Sequence, residues 1–183
     1  GVAALAADPS VGRVWLDDRL SETFVAPAGT RSEWHQTALG ADAAWAQGLD
    51  GAGGLVGHTD TGVAWDHPDL AGRLWDGGPE YPHHGWDCLD EDPDPYDEDL
   101  QLWHGTHTAG LVVGAQTGAA PGATLLVTRC VPGYYADLVE ALQFCLDHGC
   151  RLITTSAGWT QPGPDLRAAN RANAEVMLTM GVP

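Results

Sequence analysis

Short apolar runs that alternate with an amphipathic segment most constrain this chain. Residues 55–59 (L-V-G-H-T) lead into Asp60 and a glycine turn, and residues 123–131 (A-T-L-L-V-T-R-C-V) form a nearly continuous apolar and β-branched run. Residues 135–148 then carry Leu138, Leu142, Phe144 and Cys145 at helical spacing, Gly149 closes that helix, and residues 151–155 make a further short run. Strand, helix, strand joined by short turns demands right-handed parallel βαβ units, so the class is α/β with a parallel sheet. Such sheets keep their chemistry beyond the carboxyl ends of the strands, where Asp60 would stand.

The 183 residues suffice for one core. The formal net charge is -17 and all eight basic residues are scattered arginines, which leaves no positive footprint for nucleic acid. With no lysine, a Ser/Lys dyad and a Schiff base are excluded, and no apolar stretch reaches membrane-spanning length. Residues 1–7 lack the basic region of a signal peptide and run into Asp8-Pro9. Cys88, Cys130, Cys145 and Cys150 allow two disulfides in three connectivities or four buried thiols, and spacing does not choose.

The second constraint is W-H-G-T-H-T-A-G at residues 103–110, which opens a helical run over 106–115. His104 and His107 fall in its first turn and can share a face, His104 is a candidate general base, and Asp60 can orient its ring. Asp60-Thr61-Gly62 followed by His104-Gly105-Thr106-His107-x-Ala-Gly resembles the subtilisin-like serine proteases (subtilases), which carry D-[ST]-G and H-G-T-H-x-A-G in this order. The resemblance implies a three-layer parallel sheet with helices on both faces, incomplete at its C-terminal end because only the first half of the catalytic domain, residues 33–183, is matched. It also implies a secreted endopeptidase made as a zymogen, acting on peptides or proteins through an Asp/His/Ser triad. Asp60 and His104 are then catalytic. The nucleophile should lie in G-T-S-x-[AP]; Ser10, Ser21, Ser32 and Ser156 all lack that context, so a C-terminal half carrying the serine, with the oxyanion asparagine, is the expected partner.

Other segments follow the same resemblance. Residues 1–24, with a helix over 2–7 and a strand over 11–16, resemble the tail of the inhibitory propeptide, and 25–32 the linker cut on maturation. Residues 34–48 read as one helix with its tryptophans packed inward. Ser156-Ala157-Gly158 corresponds to the segment whose backbone pairs with bound peptide, opposite 131–133; Gly133, Tyr135 and Leu138 resemble positions lining an apolar subsite. His107 matches a non-catalytic histidine beside the site. His67-Pro68-Asp69-Leu70 matches a family tetrapeptide whose aspartate binds calcium in some members; here the loop completing that site is missing, so Asp69 reads as a turn or cap residue. Trp103 stands where glycine is usual, and His58 and Thr59 where aliphatics are usual.

Residues 87–99 hold eight acidic residues in thirteen with no basic residue among them. Carboxylates so crowded need solvent or a hard cation. Asp87, Asp90, Asp92 and Asp94 resemble a calcium loop of thermostable subtilases, so calcium is the expected cofactor; the other reading is a solvated acidic surface. Two further functions stand beside the protease: a zinc hydrolase using His104 and His107 with His83, His84 or Cys88, and a subtilase-like module that binds peptide without a nucleophile.

Overall fold

The computed structural model describes residues 21–22, 33–99 and 102–158. The helix expected at 2–7 and the strand at 11–16 lie outside them, as do residues 166–180, whose sequence reads as a further helix. In chain order the elements are β1 (Ser21–Glu22), α1 (Glu33–Leu39), α2 (Ala41–Trp45), β2 (Leu55–Asp60), β3 (Gly85–Asp87), α3 (His104–Val113), β4 (Thr124–Arg129), α4 (Tyr135–Asp147), β5 (Leu152–Thr155) and β6 (Ala157–Gly158). Four strands form one sheet in the order β3-β4-β2-β5, and every pairing in it is parallel. This is the α/β sheet that the alternating runs demanded. Among the described residues β5 pairs with β2 alone, and β1 and β6 form a separate antiparallel pair.

The alternation along β4 shows why both faces are covered. Leu125 and Val127 join Val56, Val63, Leu70, Ala109 and Val113 beneath α3. Leu126, between them, points the other way and packs with Cys145, Cys150, Phe144 and Ile153 beneath α4. Each such leucine contributes about 1.5–3 kcal/mol when fully buried. Gly57 is what lets α4 lie so close, because a Cβ there would stand 2.6 Å from Cys145 Sγ. By the same period of two, Val56, His58 and Asp60 of β2 all face α3.

Three expectations need correction or completion. The single helix over 34–48 is two, α1 and α2, because Gly40 takes a left-handed φ of 75° and ends the first. Trp34 is 65% exposed rather than packed inward, whereas Trp45 donates its indole N–H to Ala119 O at 3.0 Å. All four cysteines are free thiols and buried. Burial pushes Cys88 and Cys130 well above the usual thiol range, so neither offers a thiolate nucleophile.

Candidate active site

Asp60 is the last residue of β2 and His104 the first of α3. Their side chains meet with His104 Nδ1 2.6 Å from Asp60 Oδ1, and both are buried, at 4% and 0% exposure. An ionised carboxylate only accepts, so Nδ1 donates and the neutral ring carries its basic lone pair on Nε2.

Small residues and hydroxyls bring the two together. A Cβ on Gly105 would collide with the carbonyl of Gly62 and sit 3.2 Å from Asp60 Cβ, so only glycine lets the head of α3 reach the β2 terminus. Thr61 N donates to Asp60 Oδ1 at 2.8 Å, and Gly105 N donates to Thr61 Oγ1 at 2.9 Å. Trp103, the N-cap of α3, has φ 49° and no side-chain cap bond. The left-handed backbone explains the usual glycine there; the tryptophan keeps that conformation, with its ring edge-on to Tyr96 at 6.3 Å.

A residue that sequence reasoning missed does the capping. Asp97 is fully buried and accepts from Thr106 N (2.9 Å), Thr106 Oγ1 (2.6 Å) and Thr61 Oγ1 (2.9 Å). It therefore ties the aspartate turn to the first turn of α3, with its charge at the helix N-terminus. The available signal was the tryptophan at the N-cap: a side chain that cannot cap requires an acceptor from elsewhere.

His104 and His107, three apart in the first turn of α3, differ in burial: the first is buried and the second is not. His107 is exposed and lines a cavity of about 660 Å³ with His67, Asp69, Tyr96 and Trp103. Among the described residues no three His, Cys, Asp or Glu side chains converge as a metal site would need, so the zinc reading lacks its ligand set. Asp69 is a cap, accepting from Gln116 N at 2.9 Å and Thr117 Oγ1 at 3.0 Å.

The acidic segment is not without a basic partner. Arg129, at the end of β4, bonds Asp87 Oδ2 (2.5 Å), Asp90 Oδ2 (2.8 Å) and Glu98 Oε2 (2.9 Å). Burial pushes the Asp87 carboxyl up, opposed by its bond to Arg129 and the amides of Leu89 and Asp90. Asp92 Oδ1 caps Asp94 N, and Asp94 Oδ1 accepts from the Trp65 indole. Subtilases generally bind calcium, but these four aspartates are turned to a guanidinium, backbone amides and an indole and do not converge on one point as arranged.

Leu138 and Ala157 pack on one cluster with Cys88, Cys130, Val131 and Ala141. The segment 156–158 and the head of α4 are thus brought side by side, with Tyr135 half-buried. At Gly133 a Cβ would stand 2.5 Å from Asp137 Oδ2, leaving no room for a side chain. Against Ala157–Gly158 lies β1, with Ser21 opposite Gly158 and Glu22 opposite Ala157.

These features define a parallel three-layer α/β protein with a buried carboxylate–imidazole pair at its C-terminal strand ends. The chain belongs to the subtilase family, whose model matches residues 51–180. It is 36% identical over 129 residues to bacillopeptidase F of Bacillus subtilis, covering 62% of this chain and 9% of that protein. It is 31% identical over 161 residues to the minor extracellular protease Vpr of the same organism, covering 81% and 19%. The crystal structure of fervidolysin from Fervidobacterium pennivorans, a keratinolytic enzyme related to subtilisin, superposes with a TM-score of 0.59 at 21% identity, over 78% of this chain and 22% of that one, a likeness of fold. The chain thus spans less than a quarter of each of these relatives.

Proposed function

We propose that this chain is the Asp/His-bearing part of a secreted serine endopeptidase. The observation that carries the reading is the buried 2.6 Å contact between His104 Nδ1 and Asp60 Oδ1. His104 Nε2 takes the proton of a serine hydroxyl as that oxygen attacks the peptide carbonyl, then returns it to the leaving amine. Asp60 holds the tautomer and stabilises the imidazolium. The serine comes from protein outside residues 1–183, since none of the four serines here stands in G-T-S-x-[AP].

In this reading peptides bind extended between residues 131–133 and 156–158, with Gly133, Tyr135 and Leu138 forming an apolar subsite beside Ser156, Ala157 and Gly158. Support comes from β1: the chain's own Ser21–Glu22 adds an antiparallel strand to Ala157–Gly158, the pairing an extended peptide would make. Residues 1–24 are accordingly read as the tail of a pro-segment, of which Ser21–Glu22 pair with Ala157–Gly158, and 25–32 as the linker cut on maturation. Action outside the cell is supported by relatives such as the extracellular protease Vpr. No step of the reaction passes through calcium. A melting temperature that rises with calcium and falls with chelator would show that the Asp87, Asp90, Asp92 and Asp94 loop turns to take the ion.

The test is a peptide assay on the protein containing both halves, on its His104→Ala variant and on residues 1–183 alone. The expected result is cleavage by the first, a loss of at least about a thousandfold in the second, and silence from the third. Robust cleavage by residues 1–183 that survives His104→Ala would sink the assignment. Peptide binding without cleavage by the longer protein would favour a module that lacks a nucleophile.

A further inference from the structure

A strand buried on both faces is ordinarily aliphatic, yet β2 carries His58 with no exposed surface, two residues before Asp60 and on the same face. Its Nε2 lies 3.0 Å from Gly105 O and 3.3 Å from Thr108 Oγ1. A carbonyl oxygen can only accept, so Nε2 carries the hydrogen and Nδ1 is left a bare acceptor. That Nδ1 is buried and has no partner among the described residues. An orphaned buried polar atom costs about 1–3 kcal/mol, which an aliphatic side chain here would avoid. Core packing alone gives no reason for the imidazole.

The reason lies one contact away. Thr108 Oγ1 is 3.3 Å from Asp60 Oδ2, 3.0 Å from His104 O and 3.1 Å from Gly105 O. The Oδ1 atom of Asp60 already accepts from His104 Nδ1 and Thr61 N, whereas Oδ2 accepts from Thr108 Oγ1. Because His58 donates towards Gly105 O and Thr108 Oγ1, it occupies that carbonyl and the hydroxyl's lone pair. The hydroxyl hydrogen is thereby turned from the ring towards Asp60 Oδ2 and His104 O. His58 stays neutral in this role, since burial pushes its pKa below the usual imidazole value.

We propose that His58 and Thr108 are positioning residues that form a polar layer behind the Asp60–His104 pair: His58 locks the first turn of α3 to β2 and aims the Thr108 hydroxyl at the second carboxylate oxygen of Asp60. The inference rests on the reading of that pair as catalytic. It predicts that the two residues act as one unit, since the hydroxyl's aim depends on the ring.

The test uses the longer protein with both halves, as His58→Val, His58→Gln, Thr108→Val, Thr108→Ser and the His58→Val/Thr108→Val double variant. Kinetics are read beside the low-field proton resonance of His104 Nδ1–H. A misplaced catalytic group costs up to about a hundredfold, so His58→Val and Thr108→Val should each lower kcat by roughly ten- to a hundredfold with KM little changed. The double variant should lose little more than the worse single one. His58→Gln, which keeps an N–H at comparable reach, and Thr108→Ser should recover most of the rate and the wild-type resonance. An unchanged kcat with an unmoved His104 resonance in His58→Val would overturn the proposal, as would equal losses in His58→Val and His58→Gln. Should His58→Val fail to fold, Thr108→Val against Thr108→Ser decides by the same criteria. If the wild type itself cleaves no peptide, the peptidase reading falls, and the His104 resonance across the variants alone decides the positioning role.

Discussion

Two carboxylates, each bonded to a nitrogen side chain, stand in one row at the carboxyl edge of the sheet. In the strand register Asp60 is opposite Arg129, and Arg129 is opposite Asp87. On one side Asp60 meets the imidazole of His104; on the other Asp87 meets the guanidinium of Arg129. Both carboxylates are buried, at 0% and 1%. The difference lies in the partner. Imidazole gains and loses a proton near neutral pH, whereas a guanidinium stays charged, and here burial would lower the Arg129 pKa but its bonds to Asp87 and Asp90 more than reverse this. In the proposed reading, the same local arrangement serves proton transfer at one strand end and a fixed charge balance at the other.

That division can be broken by exchanging losses. In the longer protein Asp60→Asn should lower kcat by about 10⁴-fold, because the wrong imidazole tautomer is then held, with little change in melting temperature. Arg129→Met should do the reverse. It leaves kcat nearly unchanged but strands the buried Asp87 carboxylate, at a cost of about 3–5 kcal/mol, or roughly 10 °C in melting temperature. Asp87→Asn in the same background should restore part of it; the largely exposed Asp90 and Glu98, at 61% and 64%, contribute little. Equal effects of the Asp60 and Arg129 substitutions on kcat would erase the distinction.

Smaller effects sharpen it. Asp97→Asn weakens the charged cap of α3 and should cost about 1–2 kcal/mol in a denaturant melt. The pH dependence of His58 is smaller still. Asp60, Asp97 and His104, with Gly105 O and Thr108, face this ring, and burial leaves it neutral below the usual imidazole pKa. Below about pH 6.5 the unfolded chain binds a proton that the folded one refuses, so folding stability falls with pH at up to about 1.4 kcal/mol per unit until the folded pKa is reached. Urea melts at pH 6.5 and 5.5 should show His58→Val losing less stability than wild type over that step, by up to about 1 kcal/mol; equal losses would mean that the ring titrates freely in the folded state.

How much was legible in the sequence follows from where each partner lies. The strands β2, β4 and β5 and the meeting of Asp60 with His104 are local apolar runs plus two motifs, so they could be read directly. Arg129 could not be read as the partner of Asp87, because the two are 42 residues apart and meet only once β3 pairs with β4. The acidic run therefore looked as if it needed an ion. Asp97 was hidden among eight carboxylates, although the tryptophan N-cap marked a missing acceptor. Gly40 was the legible cause of the break between α1 and α2, had its left-handed turn been weighed against the helical pattern around it. His58 and Thr59 were visible as departures from an aliphatic strand, but what His58 contacts required α3 in place.

The central claim is that His104, held by Asp60, activates a serine outside residues 1–183. Its most direct measurement is labelling of the longer protein with an organophosphorus fluoride, read as a mass shift on mapped peptides in wild type and in His104→Ala. The account predicts one adduct, on a serine beyond Pro183, formed in the wild type and lost in His104→Ala. An adduct on Ser10, Ser21, Ser32 or Ser156, or labelling that proceeds equally without His104, would contradict it.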